Sequence, residues 1–300
     1  MSFTSQAASS ANSTITGTSP VVADGSASST VTITLLDVNN NSVSGVVPTF
    51  SATNTGNTNN YGTCSSTNVS GVSTCALKST HEENKTLTLL TPVSVTGGTV
   101  VFGAGSASAA TSTITGAGPV NADGVSTSTI TITLLDANSN PVSGTVPTFS
   151  ATNTGATNVY GSCSSSNASG ISTCTLKSTY GETKTLTLST PASVAGGTVV
   201  FNQEISSAYT TITGTGPVNA DGVSTSTITI TLNDYSSRPI SGVVPTFNAT
   251  DTGSTNVYGT CSSTNGSGVS TCTLQSTQAE TKTLSIMAPV AVTGGMVVFN

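Results

Sequence analysis

The chain is one unit of about a hundred residues written three times. Ala-Asp-Gly recurs at Asp24, Asp123 and Asp221, with offsets of 99 and 98 residues. The same offsets relate Cys64, Cys163 and Cys261; Cys75, Cys174 and Cys272; Pro48, Pro147 and Pro245; and Phe102, Phe201 and Phe299. Repetition at this length implies small domains in series, each burying its own core, with boundaries expected at 4–102, 103–201 and 202–300. It also supplies an internal control. A residue the fold needs should appear three times, whereas a residue serving one site need not.

Only 6% of the 300 residues are charged, against roughly a quarter in an ordinary soluble domain. Ser, Thr and Asn replace Lys and Glu, so strand formers dominate and helix formers are scarce; an all-β fold is expected. With a net charge of -6 and only six Lys and Arg, the chain has no basic stripe for nucleic acid. No window approaches the eighteen or so apolar residues of a membrane span, and the start shows no signal peptide. Phe3 sits 99 residues before Phe102. The chain is therefore expected to be an excerpt of a longer array, with signal and anchor outside it.

Within a repeat the clearest strand is Thr30–Leu35, where apolar residues alternate with Thr, as they do around Ile130 and Ile228. Period two puts one face to a core and the other to water. Thr14–Thr16, Phe50–Ala52, Tyr61–Cys64, Val72–Leu77, Lys85–Leu89 and Gly98–Phe102 complete seven short strands with turn signals between them. That pattern predicts a β-sandwich. The segment ADGVSTSTITITLLDANSNPVSG at 122–144, followed by VPTFSAT and by a G-x-C…SG-[VI]-ST-C-x-L stretch, resembles the invasin/intimin type of bacterial immunoglobulin-like repeat. The resemblance covers all three units. It implies three tandem immunoglobulin-like sandwiches in an elongated array, forming the stalk of a bacterial surface adhesin. It carries over no receptor-binding residue.

The paired cysteines lie eleven residues apart around an Asn-x-Ser-Gly turn. If that turn closes a hairpin symmetrically, Cys64 faces Cys75 on adjacent strands at a spacing a disulfide spans. The same holds for Cys163 with Cys174 and Cys261 with Cys272. Zinc would need four ligands where each repeat offers two Cys and no recurring His. Reduced, buried cysteines are the remaining alternative. Disulfides are the expectation, and they imply an oxidising compartment outside the cell.

Other candidates read as structure. His81 becomes Tyr180 and Gln278 in the other copies, which predicts a solvated loop residue. Asp136-Ala-Asn138-Ser-Asn140 resembles the start of a calcium loop, but its third copy, Asp234–Arg238, puts Arg where a ligand oxygen belongs; a polar turn is expected. Asp24, Asp123 and Asp221 precede Gly and read as turn residues. Glu82 or Glu83, Glu182 and Glu280 recur beside Lys85, Lys184 and Lys282, which predicts a surface ion pair worth little. A Lys–Asn isopeptide crosslink is set aside because the cysteines already staple each unit. Asn-x-Ser/Thr triplets such as Asn68 leave glycan attachment open. No base recurs to activate a serine, so no catalytic, metal or cofactor site is expected.

The expected function is a structural stalk or spacer of an exported adhesin at the bacterial surface. Its partners would be neighbouring repeats, with a host receptor or glycan engaged through parts outside this chain. A self-assembling fibre subunit and a carbohydrate- or receptor-binding module are the alternatives. The Gly/Ala/Ser-rich first connection is expected to flex more than the second, where Ile205 and Tyr209 would pack between domains.

Overall fold

The computed structural model describes residues 6–300; Phe3 and the expected start of the first repeat at residue 4 lie outside the described residues. The first sandwich has eight strands: β1 (Thr14–Gly17), β2 (Val21–Val22), β3 (Ser29–Thr34), β4 (Thr49–Ala52), β5 (Asn59–Tyr61), β6 (Val72–Ser79), β7 (Glu83–Thr91) and β8 (Val95–Gly103). They form two sheets, ordered β1-β3-β6-β5 and β2-β8-β7-β4. All pairings are antiparallel except β2 with β8, where Val21 lies beside Phe102 in parallel register. This is the immunoglobulin arrangement of two packed sheets. The second sandwich repeats it strand for strand. In the third, the short parallel strand shrinks to a single bridge between Val218 and Phe299.

The alternation read from sequence sets the core. In β3, Ser29, Val31 and Ile33 point inward while Thr30 is exposed. Ile33 and Leu35 then meet Leu77, Leu87, Leu89, Val100 and Phe102 in one buried cluster, and each later sandwich has an equivalent cluster of its own. Phe50 and Tyr61 close the edge between the sheets with their rings edge to face, 5.3 Å between centroids, while the Tyr61 hydroxyl donates to Ala52 O at 3.2 Å. Aromatic pairs in that geometry contribute beyond their buried area.

Seven strands per repeat were expected and the first two sandwiches have eight. The extra one, β2, is two residues long and pairs in parallel, so it carries no periodicity to read. Cys64 also departs from expectation: it lies just past the end of β5, in a segment that still runs beside β6.

Where β8 passes over β1 the two sheets come close. Gly98 has φ +69°, and a Cβ there would stand 2.6 Å from the Ile15 carbonyl oxygen. Gly45 has φ +76° but open space around it. The two positions separate backbone strain from steric conflict. Gly45→Ala should cost about 1 kcal/mol. Gly98→Ala should cost more, about 2–4 kcal/mol, because backbone must also move. Hydrogen exchange at the β1 and β3 amides measures both, and equal loss of protection in the two variants would contradict this account.

Candidate functional sites: staple, buried lysine and joints

The staple is built on β6. Gly62 N donates to Ala76 O at 2.8 Å and Ser65 N to Thr74 O at 2.9 Å, which sets Cys64 opposite Cys75. The cysteines are disulfide-bonded with their Cα atoms 4.2 Å apart, and Cys163–Cys174 and Cys261–Cys272 repeat the bond. Asn68 Oδ1 accepts from the N–H groups of Ser70 and Val72, so the side chain folds the turn between the two half-cystines. The bond stays within one sheet, unlike the inter-sheet bond of antibody domains.

The recurring Glu and Lys do not form a surface pair. Lys85, Lys184 and Lys282 have fully buried side chains. On β7 the lysine shares its parity with Leu87 and Leu89, so the pleat turns it into the core. Lys85 Nζ pairs with Glu83 Oε1, and the later copies pair at 2.6 and 2.5 Å. Nζ also donates to Thr53 O at 3.3 Å and lies 5.7 Å from the centre of the Phe102 ring. Glu83 in turn accepts from the Thr55 hydroxyl at 2.7 Å. Burial opposes ionisation of Glu83 and Glu182, but hydrogen bonds from Lys and Thr outweigh it and hold both carboxyls below the ordinary range. Hydrogen bonds from Lys282 and Thr252 lower Glu280 to about 2.

In the second and third sandwiches the turn after the strand equivalent to β3 is a joint. Asp136 Oδ1 accepts the N–H groups of Asn138 and Asn140, at 2.8 and 2.9 Å. Its Oδ2 accepts Asn140 Nδ2 and the Gly105 N–H, both at 2.9 Å. Both oxygens are engaged by donors, which is the opposite of what a calcium ligand set requires. Asn140 then reaches the preceding sandwich: its Nδ2 donates to Thr80 O at 3.0 Å and its Oδ1 accepts from Glu82 N at 2.9 Å. Asn138 Nδ2 adds a bond to Ala23 O at 3.1 Å. The Gly/Ala/Ser-rich first connection is therefore tied down at Gly105.

The second joint uses the same loop with different residues. Arg238 stands where the first joint has Asn140, and Tyr180 where it has His81. The Arg238 guanidinium lies 3.4 Å from the centre of the Tyr180 ring and pairs with Asp234 at 2.8 Å. Ser236 Oγ donates to Thr179 O at 2.8 Å, and Gln203 Nε2 donates to Asp234 Oδ2 at 3.1 Å. His81 lies in the loop between β6 and β7, as expected, but is half-buried there beside a joint. Ile205 packs against the third core, but Tyr209 is 47% exposed and does not fill the joint. Asp24 accepts from the N–H groups of Ser26 and Ala27 in its own turn, as expected of Asp-Gly.

Among the described residues no group of three His, Cys, Asp or Glu side chains converges as a metal site would require, and no helix is long and apolar enough to cross a membrane.

The chain belongs to the family described as invasin, domain 3, whose sequence pattern matches residues 108–204 and again 204–295. Among solved structures, the Escherichia coli adhesin FdeC is similar over 99% of this chain and 99% of its own, with TM-score 0.69 and 21% identity. Yersinia pseudotuberculosis InvD is similar over 97% of this chain and 98% of its own, with TM-score 0.59 and 22% identity. At these identities the likeness is one of fold. No curated protein matches the chain. The molecule is an array of three tandem immunoglobulin-like sandwiches of the invasin/intimin type.

Two outcomes test these sites. Replacing Cys64 and Cys75 with Ser should lower the stability of the first sandwich by about 2–3 kcal/mol, as expected for so short a loop. Unchanged hydrogen-exchange protection in β5 and β6 would contradict it. The second concerns pH. Burial opposes ionisation of Asp136, but the Asn140 side chain and the N–H groups of Gly105, Asn140 and Asn138 hold its carboxyl below the ordinary 3.8. Because the folded value is the lower one, the contribution is complete above that ordinary value and is lost as pH falls through the folded value. The Gly105 amide should lose protection below about pH 4, while Asp136→Asn should show that loss already at neutral pH.

Proposed function

We propose that this chain is a stalk or spacer segment of an exported bacterial surface adhesin and that it performs no catalysis. The observation that supports this best is the pair of joints. In both, an Asp-centred turn that each sandwich needs for its own fold also grips the end of the sandwich before it. A chain whose copy-specific residues serve to fix neighbouring domains is suited to hold something at a distance. Units of 4–102, 103–201 and 202–300 place those grips between successive repeats. Six cysteines in three bonds favour an oxidising exterior. Receptor or glycan recognition would then belong to other parts of the adhesin.

Catalysis needs convergent ionisable groups in a cleft. Here Asp24 and Asp136 close turns, Glu83 and Lys85 face each other in the sandwich, and His81 sits at a joint. Screens for glycan, ester and peptide hydrolysis should find no turnover.

The decisive experiment is small-angle scattering with native mass measurement. Strands of six to ten residues at about 3.3 Å rise make three sandwiches end to end roughly 100 Å long. A monomeric rod of that length is expected. A compact particle would overturn the stalk, and concentration-dependent filaments would favour a fibre subunit instead.

A further inference from the structure

The buried lysine has a neighbour that its ion pair does not explain. Asn59 opens β5, in the sheet opposite the one that carries Lys85. Its Nδ2 donates to Thr53 O at 2.9 Å, the carbonyl oxygen that also receives Lys85 Nζ at 3.3 Å. Two donors on one oxygen bring an amine and a carboxamide side by side. The carboxamide oxygen, Asn59 Oδ1, is buried and accepts no hydrogen bond. An orphaned buried acceptor carries a desolvation cost that no hydrogen bond offsets.

The arrangement occurs three times. Asn158 Nδ2 and Lys184 Nζ share Thr152 O at 3.0 and 3.3 Å. Asn256 Nδ2 and Lys282 Nζ share Thr250 O at 3.1 and 3.3 Å. In both, the asparagine Oδ1 is again buried without a partner; among the described residues these three are the buried side-chain polar atoms so left. A cost repeated in every copy calls for a reason.

Each sandwich thus encloses a primary amine, a primary carboxamide, a carboxylate touching the amine, and an aromatic wall. These are the components of an amide exchange. We propose that each sandwich closes an intramolecular isopeptide bond: Asn59–Lys85, Asn158–Lys184 and Asn256–Lys282. Glu83 acts as general base and takes one proton from the Lys85 ammonium, an uphill transfer out of the ion pair that frees the amine lone pair. The freed amine attacks Asn59 Cγ. The Nζ–Cγ bond forms, the Cγ–Nδ2 bond breaks, and the nitrogen leaves as ammonia, with Glu83 passing back the proton it took. The attacking nitrogen loses a second proton to the released ammonia, so the products are a secondary amide and ammonium. No oxidant or co-reactant is needed. In the product, the amide N–H inherits the hydrogen bond to Thr53 O. The ion pairs described above are the reactant side of this step.

The two crosslinks do different work. The disulfide joins neighbouring segments of one sheet. The isopeptide joins β5 of one sheet to β7 of the other, so the presence of the first does not make the second redundant.

Intact mass of the full chain, measured after disulfide reduction, decides the matter. Each bond releases ammonia, so the protein should be lighter than its sequence by about 17 Da per bond and by about 51 Da for three. A tryptic map should show one branched peptide containing Asn59 and Lys85, with no cleavage after Lys85. Glu83→Gln should restore about 17 Da while the Cys64–Cys75 bond persists, which separates loss of the chemistry from loss of the fold. A wild-type mass equal to the sequence mass, with cleavage after all three lysines, would overturn the proposal whatever the variant does.

Discussion

Asp136 and Asp234 each hold together two levels of structure at once. Asp136 closes a five-residue turn by accepting the N–H groups of Asn138 and Asn140, and with its other oxygen it fixes Gly105 and the Asn140 side chain. Asn140 is then aimed at the previous sandwich without freedom to swing, since it is 2% exposed and bonded on both sides. The orientation of one domain on the next therefore follows from the folding of a single turn. Charge-assisted hydrogen bonds to a carboxylate are stronger than neutral ones, which suits an anchor placed where two domains meet. Asp37 makes the same turn in the first sandwich, with Asn39 and Asn41 in the positions of Asn138 and Asn140.

A second constraint is the scarcity of apolar mass. Each core is a dozen or so small and medium side chains around one phenylalanine, and several inward positions are polar. Ser29 and Ser73 face the interior in first-sandwich strands but return their hydroxyls to backbone carbonyls, Thr18 O and Ser65 O. They stay satisfied and add little hydrophobic stabilisation. A domain of this size with a lean core benefits from covalent or ionic fastening. The disulfide on β6 and the Glu–Lys–Asn group between the sheets supply fastening where packing alone is thin.

The sequence was most legible where burial imposes a short period. Thr30–Leu35 alternates cleanly, and the strand, its faces and its core residues follow. Cys64 and Cys75 were legible from their spacing around Asn68. Lys85 was misread although its parity with Leu87 and Leu89 was plain; its charge was taken as evidence of exposure, which overrode the pleat. β2 left no trace because two residues cannot show a period. The joints were invisible in any one repeat, since Asn140 meets Thr80 across 60 residues. Their signal lay in paired differences between copies: His81 with Asn140 in one joint, Tyr180 with Arg238 in the next. The second pair is a side-chain contact, with the Arg238 guanidinium over the Tyr180 ring; in the first joint Asn140 bonds the backbone on either side of His81, at Thr80 O and Glu82 N. Asn59 recurs as Asn158 and Asn256, so its importance to the fold was visible, but its role was not, because that depends on which carbonyl it shares with the lysine.

The central claim is that the turns at Asp136 and Asp234 fix the three sandwiches as one body. Residual dipolar couplings from weakly aligned protein measure this directly, since each sandwich reports its own orientation. A single alignment tensor should fit the amide couplings of all three sandwiches, and Asp136→Asn should release the first from the other two. Three tensors of different magnitude in the wild-type chain would show domains moving independently and would contradict the account.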